Sequence, residues 1–121
     1  AKGLNIVAEK ESAGEGVALE EEYFAEANYT AVDTQSKALT EVKSGTADCA
    51  VIDITMAKAM TGEGTDYEDL TYTGSLSEEF YGIGFRVDSD VTAEVNKIID
   101  EMIADGSLQK IADKYGVAIA E

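Results

Sequence analysis

The sequence predicts an α/β protein: a three-layer α/β/α arrangement around a mainly parallel, five-stranded sheet, followed by C-terminal helices. Three observations predict it. Short runs rich in Ile, Val and Ala alternate with segments of helical spacing through the first sixty or so residues, as strand-helix-strand units with a parallel sheet require. One of these units, Val42 to Met60 (VKSGTADCAVIDITMAKAM), ends its apolar run on a single carboxylate, Asp53, and passes straight into small and apolar residues that read as a helix. From Val91 onward the apolar spacing is helical throughout.

Leu4 to Ala8, LNIVA, is too brief for a helix and reads as a buried strand. Glu9 to Gly16, EKESAGEG, reads as a turn with Ser12 as an N-cap and acids beside the positive end of the helix that follows. That helix is predicted from Ala13 to Asn28, because Ala13, Val17, Leu19, Tyr23, Phe24 and Ala27 share one broad face, with Glu20 at its edge. Glu20 to Glu22 read as a solvated helix face. Tyr29 to Val32 alternates and is β-prone, giving the second strand. Ser36 is the predicted cap of a second helix carrying Ala38, Leu39 and Val42, and Gly45 stands where a left-handed C-terminal cap belongs.

Cys49 to Ile52 is the third strand, Ile54 to Met60 a short helix, and Thr61 to Gly64 a loop by composition. Leu70 to Thr73 and Phe80 to Arg86 (FYGIGFR) are the predicted fourth and fifth strands. In the fifth, Gly82 and Gly84 alternate with Tyr81, Ile83 and Phe85, so one face carries almost no side chains; a close-packed neighbour or a bend would use that. Val91, Val95, Ile98 and Met102 make a narrow helical stripe ended by Gly106, and Ser107 is the predicted cap of a last helix with Leu108, Ile111, Ala112 and Tyr115.

At 121 residues the chain is expected to be one domain, and an apolar fraction of 45% excludes a disordered one. Nine basic against 25 acidic residues give a net charge of -16, which repels phosphate backbones and argues against nucleic acid as a partner. There is no His, and the one cysteine, Cys49, sits in an apolar run as a small strand residue, so zinc, haem and Cys/His nucleophile chemistry lack their usual groups. No cofactor and no metal are expected. A single cysteine forms no disulfide within the chain and leaves the redox compartment open. No basic-then-apolar leader precedes Ala1, and a start without Met suggests a processed or shortened chain.

Asp53 is the residue that most needs a role. Ligands of open α/β sheets sit beyond the carboxyl ends of the strands, which is where this acid falls. From the pattern alone it is divided between capping the helix that starts at Thr55 and holding a ligand. Ser12 likewise reads both as an N-cap and as a ligand contact, and the two are compatible.

Taken in order, these residues resemble the second lobe of a bacterial periplasmic-type amino-acid-binding protein, the solute receptor of an ABC importer. The strand and Ser-bearing turn of Ile6 to Gly14, the helix, glycine, Asp and strand of Leu39, Gly45, Asp48, Cys49 and Asp53, and above all YGIGFRVDSD (Tyr81 to Asp90) with VNKIIDEMIADGSLQKIADKYG (Val95 to Gly116) carry the resemblance. It implies one lobe of a type II periplasmic binding protein fold, with residues 1–86 as the second lobe including a return crossover and 87–121 as C-terminal helices that pack on the first lobe. About the first hundred residues of such a receptor, most of the other lobe, would be missing here. The resemblance implies that Asp53 holds the ligand's α-ammonium, that Ser12 and Ala13 meet its α-carboxylate at a helix N-terminus, and that Glu9 lies beside them. Tyr81, Gly82 and Gly84 would belong to the hinge, with Tyr81 and Phe85 packing rather than stacking on ligand.

Its partners would be an amino acid, the other lobe and the transporter's permease. Its location would be extracytoplasmic, in the periplasm or lipid-anchored at the cell surface. Glu9 and Glu11 depart from the family's usual residues; two extra acids there would weaken anion binding unless they turn away or meet a cationic ligand side chain. The Val91 to Met102 stripe, deprived of the other lobe, would favour a homodimer of this chain.

A competing resemblance starts from the same stretch. VIDITMAKAMTG resembles the phosphoacceptor strand and loop of response-regulator receiver domains, with Asp53 as acceptor and Glu9 or Glu11 as metal-binding acids. The receiver's Lys-Pro after the last strand is absent from FYGIGFRVDS. A hydrolytic pair of Asp53 and Glu9 has no support in their spacing, and a self-associating structural domain is a third class. The sequence therefore predicts a binding lobe and no enzyme.

Overall fold

The computed structural model describes residues 1–120. They form two compact units that part between Ser77 and Glu78. The first holds three strands, β1 (Asn5–Glu9), β2 (Asn28–Val32) and β3 (Cys49–Val51), in one parallel sheet of order β2-β1-β3. Helices α1 (Ala13–Glu20), α2 (Gln35–Lys43) and α3 (Ile54–Met60) alternate with the strands. The second unit carries α4 (Val91–Ala104) and α5 (Ser107–Tyr115).

β1 is central because it is the strand whose residues are apolar on both faces: Ile6, Val7 and Ala8 are 1%, 5% and 0% exposed. Val7 packs with Ala38 of α2 and with Ala47, and Val32, Val42, Ala50 and Ile52 close around them. Strand periodicity turns Ile6 and Ala8 to the other face, where α1 packs and Ala18 is buried. Asn5 to Glu9 pair with Asn28 to Val32, and Ile6 to Ala8 pair with Cys49 to Val51.

The α/β class and the parallel sheet are as the sequence predicts, but the sheet has three strands and not five. Residues 70–73 and 80–86 form no ladder. Leu70 to Thr73 follows a loop that is already committed elsewhere: Tyr67 reaches α2, its hydroxyl 3.1 Å from Thr40 Oγ1 and donating to the Ser36 carbonyl at 3.3 Å. Lys43 donates to the Asp66 carbonyl at 2.5 Å and lies 5.5 Å from the centre of the Tyr67 ring. Phe80 to Arg86 has two glycines, weak strand formers, and its Phe80 and Tyr81 are 77% and 78% exposed. A Cβ at Gly82 or Gly84 would meet nothing within 4 Å, so no neighbour packs on the bare face predicted for them.

The predicted helix to Asn28 stops eight residues early. Glu21 leaves helical geometry at ψ 123°, a short 3-10 turn covers Glu22–Phe24, and Leu19 and Tyr23 are 63% and 67% exposed. Glu20, Glu21 and Glu22 stack negative charge at the negative end of the helix dipole, which opposes continuation. In α4 the predicted stripe of Val91, Val95, Ile98 and Met102 divides: Val91 and Ile98 are half exposed, while Val95, Met102, Thr92 and Ile99 form the less exposed face. Gly106 has the left-handed backbone expected after α4, and Ser107 is the first residue of α5 rather than its cap.

The cap of α2 is Thr34, not Ser36: Thr34 Oγ1 accepts from the Lys37 N–H at 3.0 Å from extended backbone, and Ser36 lies inside the helix. Thr34→Ala should therefore cost about 1 kcal/mol in urea denaturation, whereas Ser36→Ala should change stability by less than about 0.5 kcal/mol. A larger loss from Ser36→Ala than from Thr34→Ala would return the cap to Ser36. Gly45, φ +81°, ends the following turn as predicted.

Candidate functional site

In the order β2-β1-β3 the chain leaves β1 for one neighbour and later returns to the other side of it, so the strand order reverses between β1 and β3. The carboxyl ends of two strands related in this way are where open α/β sheets bind ligands. The turn after β1 brings Glu9, Glu11, Ser12 and Ala13 there, and the turn after β3 brings Asp53.

Ser12 caps α1. Its hydroxyl accepts from the Glu15 N–H at 3.1 Å and donates to the Glu9 carbonyl at 2.6 Å. The first N–H groups of α1, on Ala13 and Gly14, are those for which a helix has no internal acceptor. Glu11 holds a left-handed backbone, φ 59°, that an L residue adopts at some cost. Gly14 fixes where this turn stands: a Cβ there would lie 2.8 Å from the Val51 carbonyl oxygen, so only glycine lets α1 begin against the end of β3.

Two acids around the turn, Glu15 and Glu9, are engaged locally. Glu15 accepts from the Glu11 N–H at 3.0 Å and from the Tyr29 hydroxyl at 2.7 Å. The Tyr29 bond, then the Glu11 bond, hold the Glu15 carboxyl below its ordinary pKa, while burial and then Glu15 push the Tyr29 phenol up to about 12. Glu9 accepts from the Gln35 N–H at 3.1 Å, at the start of α2. Glu9 thus satisfies the start of α2, and Glu15 ties the turn before α1 to β2.

Asp53 is the N-cap of α3. Its Oδ1 accepts from the Thr55 N–H at 2.9 Å, the Met56 N–H at 3.2 Å and the Thr55 hydroxyl. The capping half of its sequence reading is thereby realised, and α3 spans Ile54–Met60 as predicted. Its own N–H donates to Gln35 Oε1 at 2.9 Å.

Gln35 was not singled out from the sequence. It links Glu9 at the end of β1 to Asp53 at the end of β3, and its one legible signal is its place directly after the capping Thr34. Tyr81, Gly82 and Gly84 lie in the second unit, outside any strand. Two concavities occur elsewhere. One, about 290 Å³, is bordered by Met60, Asp66 and Tyr67; the other, about 280 Å³, is apolar and lies between α4, α5 and the residues after α5.

Cys49 is half-buried, and burial pushes its thiol pKa up. Among the described residues no three His, Cys, Asp or Glu side chains are grouped to hold a metal, and no helix is long and apolar enough to cross a membrane. The chain matches no protein-family model and no solved structure.

Proposed function

We propose that this chain is the second lobe of an extracytoplasmic amino-acid receptor that feeds an ABC transporter, a binding module and not an enzyme. One observation carries the reading: the N-terminus of α1 and the Asp53 carboxylate flank the same strand-order reversal. A zwitterion needs opposite poles a few ångströms apart. Backbone N–H groups at Ala13 and Gly14 suit its carboxylate, and Asp53 suits its ammonium through a charge-assisted hydrogen bond.

The capping bonds of Asp53 support this role, because they lock the carboxylate in place before a ligand arrives. The engagement of Glu9 supports it too, since its carboxylate is taken up at the start of α2 and not at the start of α1. In this reading the order β2-β1-β3 belongs to one lobe of a type II periplasmic binding protein fold. A second lobe closes over the ligand and contributes the side-chain contacts that choose it, and the transporter's permease receives the closed form. Residues 80–86 form the hinge crossover, with Tyr81, Gly82 and Gly84.

The chain alone should bind amino acids weakly, because half the contacts and most of the desolvation come from the other lobe. Titration with free amino acids, followed by amide NMR shifts, is expected to give saturable changes at Ser12–Gly14 and Thr55–Met56. N-acetyl and methyl-ester forms should lose them. Asn caps a helix as well as Asp does, so Asp53→Asn keeps α3 and removes only the charge; it should weaken binding by about tenfold. Saturable binding that ignores acetylation, or that survives Asp53→Asn unchanged, would remove Asp53 from the site. Mg²⁺-dependent beryllofluoride uptake at Asp53 would favour the phosphoacceptor reading instead.

A further inference from the structure

We propose that Gln35 is the positioning residue of this crevice, setting where the Asp53 carboxylate stands relative to the N-terminus of α1; the inference rests on the amino-acid reading above. Gln35 opens α2 with a half-buried side chain. Its backbone N–H donates to Glu9 Oε2 at 3.1 Å, and its Oε1 accepts from the Asp53 N–H at 2.9 Å. One residue therefore spans the ends of β1 and β3, the two strands between which the order reverses.

The bond to Asp53 is the informative one. Asp53 sits at extended backbone, φ -60° and ψ 135°, between the strand and α3, where neither the ladder nor the helix supplies an acceptor for its N–H. Gln35 supplies it. The peptide plane that precedes the Asp53 Cα is thereby fixed from α2, and with it the direction in which the carboxylate leaves the chain. The Thr55 and Met56 bonds hold the carboxylate itself. Ligand contact at Asp53 thus depends on an acceptor eighteen residues earlier in the chain.

Gln35→Met keeps the length and removes the acceptor. It is expected to weaken amino-acid binding by about threefold to tenfold, the value of one hydrogen bond, and to speed hydrogen exchange at the Asp53 amide. In the Asp53→Asn background the same change should add nothing, because the charge being positioned is gone. A purely structural role would weaken binding equally in both backgrounds. Gln35→Glu retains an acceptor oxygen and should bind within about threefold of the unsubstituted chain; it carries the test should Gln35→Met fail to fold. A chain that binds no amino acid at all overturns both readings. Unaltered binding by Gln35→Met, equal losses in the two backgrounds, or a tenfold loss in Gln35→Glu overturns the role of Gln35 alone.

Discussion

Replacing Ile6 by alanine should cost about 2–5 kcal/mol and leave the first unit largely unfolded. Ile6 is the largest side chain removed from water almost completely, at 1% exposure, and most of its fellow core residues are alanines: Ala8, Ala18, Ala38, Ala47 and Ala57. Alanines pack closely but bury little area each, so the few branched side chains carry most of the apolar burial. A unit of 77 residues holds only about 4–12 kcal/mol at ordinary stability per residue. Losing the central isoleucine would remove much of that, since neighbours as small as alanine cannot move in to fill the space. Ile6→Val, which removes one carbon, should cost about 0.5–1.5 kcal/mol. Urea denaturation followed by circular dichroism tests both; a loss below about 1 kcal/mol for Ile6→Ala would mean that β1 does not anchor the fold.

The elements that were legible are those whose signal is local. β1 and β3 are apolar runs bounded by polar turns, and Ser12 and Asp53 have the side chains that helix starts demand. Gly45 and Gly106 take the left-handed backbone expected where their helices end. What was not legible depends on partners distant in sequence. A β-prone alternation such as Phe80 to Arg86 becomes a strand only when another strand accepts its hydrogen bonds, and alternation does not name that strand.

The early end of α1 was legible in principle. Three consecutive glutamates at a helix C-terminus oppose its dipole, yet the apolar face through Tyr23 and Ala27 outweighs them only if something covers it. Tyr23 is 67% exposed, so that face is left largely uncovered at Tyr23.

The candidate site divides the same way. Asp53 and Ser12 were visible as an acid after a strand and a hydroxyl before a helix. That Glu9 turns to the start of α2, and that Gln35 joins the two strand ends, follows from the parallel crossovers. Glu9 and Gln35 are twenty-six positions apart in the chain and meet because α2 begins beyond β2, next to β1. Residue type alone does not announce such a pair. Gln35 is an ordinary first residue of a helix until its side chain is seen on the Asp53 N–H.

Gly14→Val should cost about 3 kcal/mol, the upper end of the range for overpacking, and should separate the two poles of the crevice. A Cβ at Gly14 would stand 2.8 Å from the Val51 carbonyl oxygen, 3.4 Å from its carbon and 3.5 Å from Ser12 Oγ. The first two are backbone of β3, paired through Ala8, and cannot rotate aside as a flexible side chain would. Relief must therefore come from α1 lifting off the sheet, which carries the Ser12 turn away from Asp53. Gly16, two residues on, meets nothing within 4 Å, so Gly16→Ala should instead stabilise α1 by about 0.5–1 kcal/mol through helix propensity.

Opposite signs from two glycines in one helix would isolate the contact with Val51 from any general effect of adding a side chain. The same pair separates stability from the site. Gly16→Ala should leave the amide shifts induced by amino acids at Ser12–Gly14 intact, while any folded fraction of Gly14→Val should lose them together with those at Thr55. If Gly14→Val kept both sets of shifts, the close approach of α1 to β3 would matter for packing alone. If it lost only those at Ser12–Gly14, the two poles would be independent, and the crevice would be two separate capping motifs rather than one binding site.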